Sequence, residues 1–173
     1  MPECFISYAW GDPEQERWVE RSLATDLQKA GIAVVLDRWE NARIGECLPR
    51  FLERVGKTDK VLVVGTPLYR KKYDNNEAMG SFVVAAEGDL ISNRMIGTEA
   101  EKKSVLPVLP KGTKETAFPF LLQGRIYADF RKPESYFDQA LELLLSLYQI
   151  SPQHPVAVEL RESLMGREER GIL

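Results

Sequence analysis

The chain has 173 residues and a single histidine, His154, in the punctuated stretch Ser151-Pro152-Gln153-His154-Pro155 that reads as linker. A Ser-His-Asp or Cys-His arrangement needs an imidazole in the folded core, so those nucleophilic devices are excluded. Cysteine is scarce too: Cys4 and Cys47 are too few for a disulfide framework. With one histidine near the end and no tight ligand spacing, they make no zinc site either. Reduced thiols and a cytoplasmic location are the expectation. Basic charge shows no excess, with 23 Lys and Arg against 26 Asp and Glu and a net charge of −3. A nucleic-acid partner is therefore not expected. No apolar run approaches the ~18–20 residues that cross a bilayer, and the first residues lack a basic-then-apolar signal pattern, so no membrane partner is expected.

What is present fits one globular domain with a short appendage. Hydrophobic residues make up 44% and charged residues of both signs 28%, which excludes a disordered or collagen-like chain. If the protein is an enzyme, carboxylates or a bound cofactor must carry its chemistry.

Apolar runs alternate with helical periodicity along the chain. Cys4–Tyr8, Ile32–Leu36, Lys60–Thr66, Val105–Leu109 and Arg125–Phe130 read as five strands. The third is continuous and β-branched, as expected for a strand covered on both faces. Pro107 places the fourth nearer a sheet edge, where its missing N–H costs nothing. Helices are expected over Pro13–Ala30, Cys47–Val55, Pro67–Tyr73, Gly80–Met95 and Pro133–Ile150. Asp12 and Pro13 start the first of these and Gly31 ends it. In the last, Phe137, Leu141, Leu144 and Tyr148 form the expected apolar stripe. Such alternation implies crossover connections and an α/β, flavodoxin-like fold: a five-stranded, mostly parallel sheet with helices on both faces. This domain covers 1–150; residues 151–173 read as a charged tail, linker or frayed helix leading towards a further domain.

In such sheets ligands sit beyond the carboxyl ends of the strands. Those ends carry no Gly-x-Gly-x-x-Gly and no Walker-type loop, which excludes a Rossmann dinucleotide site and a P-loop. A phospho-accepting receiver would need an aspartate at the end of strand three, where Val64-Gly65-Thr66 stands instead. Two features remain. Val83, Val84, Leu90 and Ile91 lie three or four residues from Glu87, which puts this carboxylate in the apolar stripe of its helix. A charge there is either functional or paired with an arginine. Second, the stretch from Asp37 to Glu46, with Trp39, Arg38, Arg43 and Gly45, would clamp an anionic planar ligand or dock a partner. It reads equally as a solvated connection with Trp39 packed on the core.

Taken in order, these segments resemble a known family. Phe5-Ile6-Ser7-Tyr8 resembles the first strand of Toll/interleukin-1 receptor (TIR) domains. Val35-Leu36-Asp37-Arg38-Trp39, Ile44-Gly45-Glu46 and Leu48-Pro49-Arg50-Phe51 are similar to their second strand and the loop after it, in the form of bacterial TIR and SEFIR-type domains. Asp59 to Tyr69 is similar to the third strand and its exit. The resemblance covers Glu3 to Ile150 and implies the fold already read from periodicity.

The family holds both signalling scaffolds, which assemble through homotypic contacts, and enzymes that cleave NAD⁺ at the nicotinamide–ribose bond, among them bacterial antiphage effectors. The resemblance puts the enzymes' glutamate at Glu87. It implies an NAD⁺ site formed by Ser7, Tyr8, Ala9, Trp10, Asp37, Arg38, Trp39, Arg43, Gly45 and Thr66, with no metal and no cofactor beyond NAD⁺ as substrate. It also implies self-association through the Arg38–Glu46 loop, which in the enzymes completes a neighbouring subunit's site, and an input from a sensor domain or partner chain. Val83 stands where some catalytic members have tryptophan, and Ala86 where SEFIR-like relatives have an aromatic, which leaves Trp39 or Trp10 to stack on nicotinamide. The readings to separate are an NAD⁺-cleaving effector, a non-catalytic TIR interaction module, and a nucleoside-processing enzyme whose lone carboxylate attacks a ribosyl carbon.

Overall fold

After Lys60, the run Val61-Leu62-Val63-Val64 is apolar and mostly β-branched, a pattern suited to a strand buried on both faces. It forms the middle strand of a five-stranded sheet, and every one of its residues is buried. The computed structural model describes residues 1–36, 48–74 and 82–168, with side chains over 1–36, 53–74, 88–164 and 166. The strands are β1 (Glu3–Ser7), β2 (Ala33–Val35), β3 (Lys60–Val64), β4 (Val105–Leu109) and β5 (Ala128–Asp129). They are parallel throughout and ordered β2-β1-β3-β4-β5. Ser7 of β1 stands opposite Val63 of β3.

Helix α1 covers residues 13–29 in three consecutive stretches: α-helical Pro13–Arg17, π-helical Trp18–Leu23 and α-helical Ala24–Lys29. Asp12 caps it by accepting the Gln15 N–H at 3.3 Å. Gly31, at φ 85°, takes the left-handed turn that ends it. The other described α-helices of eight residues or more are α2 (Leu48–Lys57), α3 (Pro67–Asp74), α4 (Phe82–Ile96), α5 (Tyr136–Leu147) and α6 (Pro155–Glu168).

The two-residue period of the strands divides the core in two. Cys4, Ile6, Tyr8, Leu62 and Val64 face α1 and α5, where Val19, Leu23, Leu143 and Leu147 pack. Phe5, Ala9, Val61, Val63 and Leu109 face the other way, onto Val55 of α2, Tyr69 of α3 and Ile91 and Met95 of α4. Burial pushes the Cys4 thiol far up, so it serves as an inert apolar residue.

The expected flavodoxin-like order is observed, and the elements differ from expectation at two places. The fifth strand is shorter than Arg125–Phe130: only Ala128 and Asp129 pair with β4. Arg125 N–H instead closes a turn on the Leu122 carbonyl, and Ile126 is 97% exposed. In α5 the buried stripe runs through Tyr136, Ala140, Leu143, Leu144 and Leu147. Phe137 and Tyr148, expected on it, are exposed. The helix is rotated because Tyr136 packs edge-on against Phe130, with ring centroids 5.3 Å apart, and donates to Asp26 at 2.8 Å.

Pro107 sits as the sequence required. The carbonyls of Ser104 and Val108 accept from Val61 and Gly65 of the β3 side, so by alternation the nitrogen of Pro107 faces away from β3. On that outer side β5 pairs only from Val108 onward. Beyond β5, helix α6 rests on α5, with Ala157 buried and Arg161 bound to Glu142 and the Pro152 carbonyl. Among the described residues no helix is long and apolar enough to cross a membrane.

Candidate functional site

The strand order reverses direction between β1 and β3, and the crevice outside the carboxyl ends at such a switch point is where open α/β sheets bind ligands. Two segments meet there. Ser7, at the end of β1, shares a 3.0 Å hydrogen bond between its Oγ and the Oη of Tyr69. Both residues are buried, so this bond bridges the switch point beneath the surface. Ala9 lies on the same side of the strand as Ser7 and is buried with Tyr69.

Thr66 follows β3 and begins α3. Its Oγ1 accepts the Tyr69 N–H at 3.0 Å, and its carbonyl accepts the Arg70 N–H. With Pro67 at the first helical position this is a capped helix start. The buried hydroxyl of Thr66 is thus engaged with its own helix, and it fixes Tyr69 under Ser7. Tyr8 alternates to the opposite face: it packs with the α1 cluster, and its Oη donates to Glu20 at 3.3 Å. Trp10 is at the rim, 42% exposed, and its carbonyl accepts from Lys72 of α3. Next to it Gly11, at φ 113°, turns the chain, and its N–H donates to Glu16 at 2.7 Å. Lys111, after β4, pairs with Asp12 at 3.2 Å. The Gln15 N–H, and after it that ammonium, hold the Asp12 carboxyl below its ordinary value.

Glu87 belongs to α4. In this helix Gly88, Ile91 and Met95 are buried, whereas Asp89 and Asn93 are exposed. The side chains of 82–87, Glu87 and the apolar residues before it among them, lie outside the described residues. The helix is anchored by Arg94, whose guanidinium donates to the Thr58 carbonyl at 2.8 Å, the Gly56 carbonyl at 3.3 Å and Ser104 Oγ at 3.0 Å. Those partners lie at the amino-terminal ends of β3 and β4. Glu87 is seven residues earlier, about 10 Å along the helix towards the carboxyl ends. The backbone of Glu87 is therefore offset from the Arg94 anchor by about two helical turns.

A third contact ties these parts together. Tyr73 Oη and Ser92 Oγ share a 2.6 Å hydrogen bond between α3 and α4. Tyr73 also stacks on Tyr69, with centroids 6.4 Å apart and planes 27° from parallel. Sequence reasoning missed Tyr69, Tyr73 and Ser92 as parts of the site. The available signal was the four-residue spacing of the two tyrosines, which places them on one face of α3. Of the expected binding residues, Ser7, Ala9 and Thr66 are gathered on the α3 and α4 side, Trp10 at the rim, and Tyr8 on the far face. Asp37, Arg38, Trp39, Arg43 and Gly45 lie outside the described residues.

Solved structures share this fold. A prokaryotic SEFIR domain of known crystal structure superposes with a TM-score of 0.64 at 24% identity, covering 86% of this chain and 99% of its own. The TIR domain of a Toll-related receptor from the lower metazoan Hydra magnipapillata does so with a TM-score of 0.57 at 18% identity, covering 84% and 97%. At these identities the likeness establishes the fold. No curated protein matches the chain significantly. The sequence model for the TIR domain matches residues 4–145, from β1 through most of α5. With that match spanning the whole sheet and the switch point just described, the chain belongs to the TIR-domain family.

Proposed function

We propose that this TIR domain cleaves NAD⁺ at the nicotinamide–ribose bond, with Glu87 as the catalytic carboxylate, and acts as a bacterial immune effector. The observation that carries the reading is the convergence at the β1/β3 switch point. There Ser7 and Tyr69 share a buried hydrogen bond, and the helix that carries Glu87 is tied to Tyr69 through Tyr73 and Ser92. The chemistry suits a chain whose only histidine is His154, at the exposed start of α6. When the bond between C1′ and the pyridinium nitrogen breaks, its electron pair neutralises the nitrogen, and nicotinamide leaves without a proton. No general acid is required, unlike the departure of an alcohol from a glycoside. Positive charge develops on C1′ and the ring oxygen, and a carboxylate beside the ribose stabilises it. Water then adds to C1′ and releases a proton, giving ADP-ribose; attack by the adenine instead gives a cyclised isomer.

On this reading the loop from Arg38 to Glu46 reaches a neighbouring subunit, so self-association completes the site. The direct test is nicotinamide release from NAD⁺ at high protein concentration or under crowding. Glu87→Gln is expected to lower the rate by about 10²-fold or more, the scale of losing one preorganised electrostatic group. Absence of release, or release unchanged in the variant, rejects the reading. The second reading, a non-catalytic interaction module, draws on the likeness to a receptor's TIR domain. Ordered assemblies that turn over no NAD⁺ would establish it in place of the first.

A further inference from the structure

We infer that Tyr73 and Ser92 are positioning residues for Glu87, their shared hydrogen bond fixing the height and rotation of α4 against α3. The functional half of this inference rests on the NAD⁺-cleaving reading; the mechanical half does not. The contact between the hydroxyls is 2.6 Å long and partly buried. It ends an unbroken series: Ser7 of β1 bonds Tyr69, Tyr69 stacks on Tyr73, and Tyr73 bonds Ser92. The strand end that borders the switch point is thereby linked to the helix that carries Glu87, five residues from Ser92.

Among the described residues, α4 packs on the core through Ile91 and Met95, with Leu90 partly buried beside them. The described buried positions of α4 are Gly88, Ile91 and Met95, and the first has no side chain. Burial of apolar surface is non-directional and tolerates small slides, whereas a hydrogen bond specifies a distance and an angle. Arg94 supplies the second anchor through the Thr58 and Gly56 carbonyls and Ser104. Ser92 and Arg94 project about 160° apart around the helix axis, so the two anchors oppose rotation in either sense. Arg94 holds the carboxy-terminal end of α4. The Tyr73–Ser92 bond is the one nearer Glu87, and a displacement there of an ångström is enough to lower turnover strongly.

The experiment compares Tyr73→Phe, Ser92→Ala, the double variant and Ser92→Thr with the wild-type chain. Tyr73→Phe keeps the ring that stacks on Tyr69 and removes only the hydroxyl. Each single removal is expected to lower kcat for nicotinamide release by about tenfold, with KM for NAD⁺ changed less than about twofold. The double variant should match the singles, because one bond is lost in each, and Ser92→Thr should restore activity. Amide exchange over residues 82–91 should quicken in Tyr73→Phe and Ser92→Ala while β1 and β3 keep their protection. Unchanged kcat in both singles, a loss confined to KM, additive singles, or Ser92→Thr no better than Ser92→Ala each overturn the positioning role. If the wild-type chain releases no nicotinamide, the NAD⁺ reading fails by itself. Exchange then decides the mechanical half: no change over 82–91 in either single variant overturns it.

Discussion

Gly65 shows how a single residue shapes the carboxyl edge of the sheet. Its backbone is not among the described positive-φ glycines, Gly11, Gly31 and Gly112, so conformation does not demand glycine there. Space does: a Cβ at this position would overlap the ring of Phe118, which is fully buried and packs on Tyr127 at 5.8 Å. Gly65→Ala is therefore expected to destabilise the domain by about 1–3 kcal/mol, the usual cost of overpacking a filled core. The measurement is a lower urea midpoint with an unchanged denaturant slope; an unchanged midpoint would mean that Phe118 yields freely. Nothing in the sequence announced this contact, since the partners are 53 positions apart and periodicity carries only local information. Ser7 and Tyr69 are a like case. Ser7 was legible as a strand end and Tyr69 as part of a family motif, but their hydrogen bond exists only once β1 and β3 are neighbours. Thr66 was legible by position, and the structure adds that its hydroxyl caps α3.

Elements were legible where one period dominates. β3 has no polar interruption between Val61 and Val64, and β4 was located to the residue, as Val105–Leu109. α5 is different, because YFDQALELLLSL is apolar around most of its circumference. The series 137, 141, 144, 148 and 136, 140, 143, 147 fit a 3.6-residue period equally well. Tertiary contacts decide between them, through Phe130 and Asp26 on other elements. The rotation leaves Leu145 buried on a different side from Leu143 and Leu147, which gives α6 an apolar surface to rest on. Among the described side chains of α6 Ala157 is the buried one, and the Arg161–Glu142 pair is a polar fastening. A partly exposed ion pair contributes little by itself, so the fit at Ala157 should control docking. Ala157→Glu is expected to release α6, read as faster amide exchange over 155–168 while the strands stay protected. Loss of protection throughout the sheet would show instead that α6 is integral to the domain.

For the molecule as a whole, the sheet order settles which parts can share a site. β1, β3 and α4 surround the switch point from within one chain. β2 is the outermost strand on the β1 side, and after Leu36 the chain leaves it at its carboxyl end. The predicted binding residues from Asp37 to Gly45 follow β2 in the sequence and lie outside the described residues. An edge strand offers unpaired backbone and a natural place for another copy to meet it. On the proposed reading a working site takes Glu87 from one subunit and Trp39 and Arg43 from its neighbour, and this predicts complementation. Glu87→Gln protein retains an intact loop, and protein carrying Trp39→Ala and Arg43→Ala retains an intact glutamate. Each alone is expected to release almost no nicotinamide. Mixed at a concentration that supports assembly, they should recover activity, because some interfaces then join the intact loop of one to the intact glutamate of the other. Recovery that rises with concentration supports a site shared between subunits. Equal mixing without recovery, in assemblies shown to contain both proteins, would place the loop and the glutamate of one site in the same chain.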